Sequence, residues 1–403
     1  MSRSQPYGSI GPAVSRNLTW QCGMSDLVLG TKYQVPSTVH PMPRFRPDIA
    51  ALSAYAPGRS IEEVASRIGV ASADIVKLAS NESPDGPFPG VIEAASKALA
   101  MSNRYPDNDH VELTAALSQW LDVPADHLWL GNGSVGLLGH IALAVGGPGT
   151  SVVYAWPSFV MYRIASRWAM SEVVEIPLDD AHVHDLGAMA DAIREDTTVV
   201  YLCNPNNPTG TIVTSDEMTG FIDSLPESVL IVVDEAYHEF VTDGSHDTAI
   251  PHALRRPNVV VLRTFSKIFA LAAHRVGYGL ARPETITELR KAQAPFSVTQ
   301  IAQVAASASL HDRGELGRRV EANEIARNQL LGVLDGRSLP HSESHANFVY
   351  FELALPANEA SALFAERGVI VRPMSGGWLR VTIGSEPEIQ RFVEALDEVV
   401  AGL

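Results

Sequence analysis

Short apolar runs recur along the chain at intervals that leave room for a helix between them. They are Ile75-Val76-Lys77-Leu78, Ser151-Val152-Val153-Tyr154, Thr198-Val199-Val200-Tyr201-Leu202, Val229-Leu230-Ile231-Val232-Val233 and Asn258-Val259-Val260-Val261-Leu262. The runs are continuous rather than alternating, which predicts strands covered on both faces. Helical stretches at Val111–Leu121 and 159–170 lie between them. From about residue 75 the pattern therefore predicts an α/β fold with a mostly parallel sheet sandwiched by helices. After about residue 285 the texture changes to charged amphipathic helix at 312–334, then short strands at 346–351 and 378–383. That change predicts a smaller α+β unit. Before residue 48, Pro36, Pro41, Pro43 and Pro47 argue for loop and arm. The expected division is an arm over 1–47, a large α/β domain over 48–285 and a small α+β domain over 286–403, with the first stretch of the large domain a candidate to pack on the small one.

Composition narrows the functional classes. The chain has 403 residues, 46% apolar and 19% charged, enough apolar material for a large core and a second, smaller one. A formal charge of −16 speaks against a nucleic-acid or anionic-membrane partner, which would be repelled over most of the surface. It leaves room for small anionic substrates, which need only a few well-placed arginines. The two cysteines, Cys22 and Cys203, suggest no disulfide framework and no metal cluster, and so a reducing cytoplasm. Ser, Gly, Pro and Arg interrupt residues 1–30, which argues against a signal peptide, and no stretch reads as a membrane span. Met24 offers an alternative start, and residues 1–30 are given no catalytic role.

In an open α/β sheet, ligands gather beyond the carboxyl ends of the strands. The strand ending at Val233 runs into Asp234-Glu235-Ala236-Tyr237. A carboxylate at the mouth of a buried strand needs a cationic partner, and a protonated ring nitrogen is one. A helix cap or a structural ion pair accounts for the same two acids. The strand ending at Leu262 leads to Arg263-Thr264-Phe265-Ser266-Lys267 and on to Arg275. Of five lysines, Lys32, Lys77, Lys97, Lys267 and Lys291, only Lys267 follows a buried strand between hydroxyl and apolar residues. A partly desolvated lysine is a nucleophilic amine, while Thr264, Ser266 and Arg275 together suit a phosphate. An ordinary surface lysine at a helix start is the plainer reading. Gly131-Asn132-Gly133-Ser134, then Val135, forms a strand-to-helix turn whose backbone N–H groups converge on an anion, or a simple tight turn. The loop Asn204-Pro205-Asn206-Asn207-Pro208-Thr209-Gly210 is stiffened by two prolines, which aims its amides. For Asn204 and Asn206 a structural turn explains as much.

Taken in order over roughly residues 50–390, these segments resemble the class I/II aminotransferases of fold type I, and among them the histidinol-phosphate aminotransferase-like branch. The matching pieces are Leu78-Ala79-Ser80-Asn81-Glu82-Ser83-Pro84, Arg104-Tyr105-Pro106-Asp107, the Gly131–Ser134 turn, the Asn204–Gly210 loop, Val233 through Tyr237, Thr264 through Lys267 with Arg275, and Leu379-Arg380-Val381. Each is modest alone; the asparagine-proline loop, the Asp234–Tyr237 step and the Lys267–Arg275 step are specific together.

The resemblance implies pyridoxal 5'-phosphate, carried by Lys267 as a Schiff base, with Lys267 then shuttling the proton of the substrate Cα. It implies that Asp234 pairs with the pyridinium nitrogen and that Tyr237 and Asn207 bond the ring oxygen. Gly133, Ser134, Val135, Thr264, Ser266 and Arg275 would hold the phosphate, joined by Tyr105 of a partner subunit, and Phe159 would stack on the ring. Arg380 would grip the substrate carboxylate, Asn81 would cover it, and Tyr55 and Arg372 would reach its distal end. The implied activity is transfer of an amino group between an L-amino acid, an aromatic amino acid or histidinol phosphate and a 2-oxo acid such as 2-oxoglutarate, in a homodimer of amino-acid biosynthesis. Decarboxylation, racemisation or cyclisation on the same scaffold is the alternative, since the fold does not choose which Cα bond breaks. The chain departs from the family pattern at Ser134-Val135-Gly136, where acidic residues are usual, at Ser83 in place of asparagine, and at His274 before Arg275.

Overall fold

Residues 43–52 and 58–402 are described by a computed structural model of the chain. Twelve strands are present among them: β1 Val76–Lys77, β2 Leu128–Gly131, β3 Ser151–Trp156, β4 Glu172–Pro177, β5 Thr197–Cys203, β6 Leu230–Asp234, β7 Val259–Thr264, β8 Gly277–Leu280, β9 Phe348–Glu352, β10 Val369–Ile370, β11 Arg372–Pro373 and β12 Trp378–Thr382. Seven of them form one sheet in the order β2-β8-β7-β6-β5-β3-β4. β3 through β7 pair in parallel, and β8 lies antiparallel between β7 and β2. β8 alone runs against the rest, so the carboxyl ends of β2, β3, β5, β6 and β7 share one edge.

The expectation of strands covered on both faces holds. On one side Val153, Val200, Leu202, Ile231, Val233, Val259 and Val261 join one core. On the other, Val152, Tyr154, Val199, Tyr201, Val232, Val260 and Leu262 pack in the opposite apolar layer. The strand period of two sends neighbours to opposite faces, and here both faces meet apolar layers. Each such side chain contributes about 1.5–3 kcal/mol by leaving water, which fixes the sheet as the platform of the molecule.

A second core gathers around the three-stranded sheet β11-β12-β9, with Leu330, Leu334, Phe364, Phe392 and Leu396 from the helices Arg313–Gly336, Ala357–Glu366 and Glu386–Ala401. The long helix Arg313–Gly336 starts where the Asp312 side chain accepts from the Glu315 N–H, a cap for a donor left orphaned at a helix start.

Three readings of the sequence change here. The run Ile75–Leu78 does not join the seven-stranded sheet: β1 is two residues long and pairs in parallel with β10. Lys77 interrupts its apolar pattern, and Leu78 packs into the second core instead. Pro47 opens the short helix Pro47–Ala50, its fixed φ and missing N–H being tolerated at the first helical position. β4 and β8 belong to the main sheet although neither shows the expected run. β4 is a half-buried edge carrying Glu172 and Glu175, and β8 is Gly277-Tyr278-Gly279-Leu280, with half its positions glycine.

Candidate active site

Beyond the shared strand edge lies a cavity of about 260 Å³ lined by Ser80, Asn81, Ser134, Val135, Phe159, Asn207, Asp234, Tyr237, Thr264, Ser266, Lys267, Arg275, Arg372 and Arg380. The strand ends deliver most of them. β6 stops at Asp234, β7 at Thr264 with Ser266 and Lys267 directly after, β5 leads to Asn207, and β2 leads to the helix Ser134–Val145. Phe159 follows β3, Tyr237 follows β6 and Arg275 precedes β8, and the remainder come from the segment after β1 and from β11 and β12.

Lys267 donates from Nζ to the carbonyls of Ser80 and Asn81, 3.3 Å each, and stands 5.5 Å from the centre of the Tyr237 ring. Desolvation first, then the nearby Arg380 and Arg275 charges, bring its amine down to about 7, against the opposing pull of Glu82 and Asp234. A free amine is thus available near neutrality. Asp234 is only 2% exposed. Burial pushes its carboxyl up to about 6, opposed by the Tyr162 hydroxyl, which donates to Oδ2 at 3.0 Å, and by the Ala236 N–H, which donates to Oδ1 at 3.2 Å. A buried acid balanced this way stays ionised at neutral pH and favours a cation beside it. Tyr237 receives a hydrogen bond from Asn81 Nδ2 at 3.0 Å, and burial pushes its phenol up.

At the other end of the cavity Arg275 donates to Ser266 Oγ at 3.2 Å, and the Ser266 N–H donates to Thr264 Oγ1 at 3.1 Å. Gly133 has φ +82°, and a Cβ on it would sit 2.5 Å from Arg275 Nη2. Only glycine lets the chain turn into the helix Ser134–Val145 with that guanidinium alongside. Three hydroxyls, a guanidinium and the first N–H groups of a twelve-residue helix form a donor set for a dianion. The floor carboxylate, the amine and this cup match the basic ring nitrogen, the aldehyde and the phosphate of pyridoxal phosphate in kind and in number.

The substrate side is built on the second sheet. Arg380 donates to Asn207 Oδ1 and to the Ala79 carbonyl, and its guanidinium lies 5.4 Å from the Phe348 ring. Arg372 is its direct cross-strand partner. Like charges placed opposite each other are destabilising, and both arginines open on the same cavity. Asn81 is held at φ +53° by Thr382, whose Oγ1 accepts the Asn81 N–H at 2.9 Å, and its carbonyl also accepts from Asn347 Nδ2 at 3.2 Å.

Of the residues singled out in the sequence, Tyr105 stands apart. It is 84% exposed and stacks on Phe296 at 4.9 Å, outside the cavity of its own chain. Tyr55 lies outside the described residues. Tyr162 and Thr382 hold site residues and were not singled out. Tyr162 is the second residue of the helix Met161–Trp168, where an aromatic reads as core, and only its contact with a distant strand end reveals it. Among the described residues no group of His, Cys, Asp or Glu is placed to hold a metal ion, and no helix is long and apolar enough to cross a membrane.

The family model for class I and II aminotransferases matches residues 73–396. The chain is 41% identical over 359 residues to an aromatic amino acid aminotransferase of Streptomyces coelicolor, covering 88% of this chain and 97% of that protein. It is 38% identical over 365 residues to a histidinol-phosphate aminotransferase of Moorella thermoacetica, covering 89% and 94%. The fold is similar, at TM-score 0.82 and 28% identity, to the histidinol-phosphate aminotransferase of Sinorhizobium meliloti in complex with pyridoxal-5'-phosphate, over 91% of this chain and 100% of that one.

Proposed function

Because the chain belongs to the class I and II aminotransferases, we propose that it moves an amino group between an L-amino acid with a flat aromatic side chain and a 2-oxo acid, using pyridoxal phosphate held by Lys267. The observation that carries this reading is the convergence of Lys267, Asp234 and Arg380 on one cavity. Ser134, Thr264, Ser266 and Arg275 hold the cofactor phosphate, Asn207 and Tyr237 its ring oxygen, and Phe159 its ring face. When bound, the cofactor supplies a cationic ring that draws electrons from the donor's α-carbon.

The protein's own contribution is positional and electrostatic. Asp234 holds a positive charge at the ring nitrogen. Arg380 grips the donor carboxylate, a bidentate task for a guanidinium. Lys267 accepts the proton from the donor's α-carbon, for which an amine near 7 is well matched at neutral pH. Asn81, over the amine, screens it from water. Both partners of the exchange carry the same carboxylate, so one arginine serves both. Arg372 receives a second anion at the far end, such as the distal carboxylate of 2-oxoglutarate; histidinol phosphate, which has no carboxylate, offers the two arginines only its phosphate.

The working unit is proposed to be a cytoplasmic homodimer in which Tyr105 of each chain completes its neighbour's phosphate cup, with residues 48–285 as the large lobe and 286–403 as the small one. The test is a donor panel of phenylalanine, tyrosine, aspartate and histidinol phosphate with 2-oxoglutarate. Turnover led by the aromatic pair is expected. A preference for histidinol phosphate would move the chain to the other branch, and release of carbon dioxide without amino transfer would overturn the reading.

A further inference from the structure

Asp234 is the buried acid of the cavity, and part of what holds it comes from the helix Met161–Trp168. The Tyr162 hydroxyl donates to its Oδ2 at 3.0 Å. The Tyr162 ring cannot swing away: it is fully buried, stacked on Tyr201 at 4.8 Å and 7°, with Tyr154 at 5.7 Å and Phe159 at 5.8 Å. Tyr154 is fixed in turn, donating to Glu175 Oε1 at 2.7 Å, and Arg163 donates to both oxygens of Glu175 at 2.7 and 2.8 Å. The line of contacts runs from a half-buried ion pair at the sheet edge to the Asp234 carboxylate in the cavity.

We propose that Tyr162 is a positioning residue for the transfer reaction, its hydroxyl locked by the aromatic stack so that Asp234 stays ionised and aimed at the cofactor's ring nitrogen. This rests on the function proposed above. Burial raises the Tyr162 phenol far beyond the working range, so it stays protonated and keeps its hydrogen for Asp234. The groups facing Asp234 are Tyr162 from the helix Met161–Trp168, Cys203 from β5, Glu235 and Tyr237 following β6, and Lys267 following β7. Glu235 raises the carboxyl and Lys267 lowers it. Of the two hydrogen bonds that favour the charged form, the one from Tyr162 is larger than the one from the Ala236 N–H.

Tyr201 supplies the control. Its hydroxyl is buried in the same stack and makes no hydrogen bond to Asp234. Tyr162→Phe and Tyr201→Phe each remove one buried hydroxyl from one aromatic layer, but only the first touches Asp234. With cofactor-loaded protein, Tyr162→Phe is expected to move the acid limb of kcat upward by about one pH unit and to lower kcat roughly tenfold at neutral pH. The 15N resonance of a labelled ring nitrogen is expected to shift toward the unprotonated form. Tyr201→Phe is expected to leave all three unchanged. If neither variant moves the acid limb and the resonance, or if both move them equally, the inference is overturned. A wild-type protein that binds no cofactor or transfers no amino group would sink the function proposed above. Normal wild-type turnover with an unmoved Tyr162→Phe profile would sink this inference alone.

Discussion

Lys267 owes its chemistry to its surroundings. With its amine near 7, the free base predominates above that pH and the ammonium below it. Capture of pyridoxal phosphate by the apoprotein, followed as growth of the visible band, is expected to speed up about tenfold per pH unit below 7 and then level off. A rate still climbing beyond pH 9 would show an ordinary lysine. Lys267→Ala should give no such band and only background turnover. Arg372 tests the far end of the site: Arg372→Ala is expected to slow a phosphorylated donor far more than an aromatic one, by roughly 10–100-fold in kcat/KM, the size of a lost hydrogen bond to a charged group. Equal losses would remove Arg372 from selectivity. At this scale the sequence was legible where chemistry follows a strand directly. Asp234, Asn207 and Lys267 can be found by walking off the ends of apolar runs. Tyr162 and Thr382 cannot, because each acts through one contact with a residue far away in the chain, which no local pattern records.

At the level of elements, the turn through Gly133 decides where the helix Ser134–Val145 begins and where Arg275 lies. Gly133→Ala brings a Cβ to 2.5 Å from Arg275 Nη2 and forces φ +82° on a residue that resists it. The expected result is cofactor affinity weaker by about tenfold, measured by titrating the apoprotein, with a smaller effect on melting temperature because the sheet is untouched. Undiminished affinity would show that the turn does not shape the cup. The main strands β3, β5, β6 and β7 announce themselves because both faces are apolar. β4 hides behind its edge glutamates, and β8 behind glycines that admit close neighbours: a Cβ on Gly277 would meet the Ser134 nitrogen at 2.7 Å. The misplaced run Ile75–Leu78 is apolar for a different reason, since it belongs to the second core rather than the first.

On the scale of the whole molecule, Tyr105 is the residue whose place only an assembly would explain. It is exposed beside Met101, in a shallow cavity of about 760 Å³ that also includes Arg104 and Gln300. If each chain lends Tyr105 to its neighbour, mixing inactive Lys267→Ala and Tyr105→Ala chains creates mixed dimers with one intact site. Activity above that of either parent is expected, up to roughly a quarter of wild type for random pairing. No gain on mixing, with dimers confirmed by sedimentation, would mean that Tyr105 serves its own chain or none.

Arg380 and Thr382 sit two residues apart on β12, so the pleat turns both toward the same side. One is the proposed anchor for the incoming anion. The other fastens the backbone of Asn81, whose carbonyl, with that of Ser80, receives the ammonium hydrogens of Lys267. Anchor and fastening are one stiff piece of strand, so any tug on the first is felt by the second. The strand that would receive the substrate's anion is thus the same one that steadies the carbonyls facing the base.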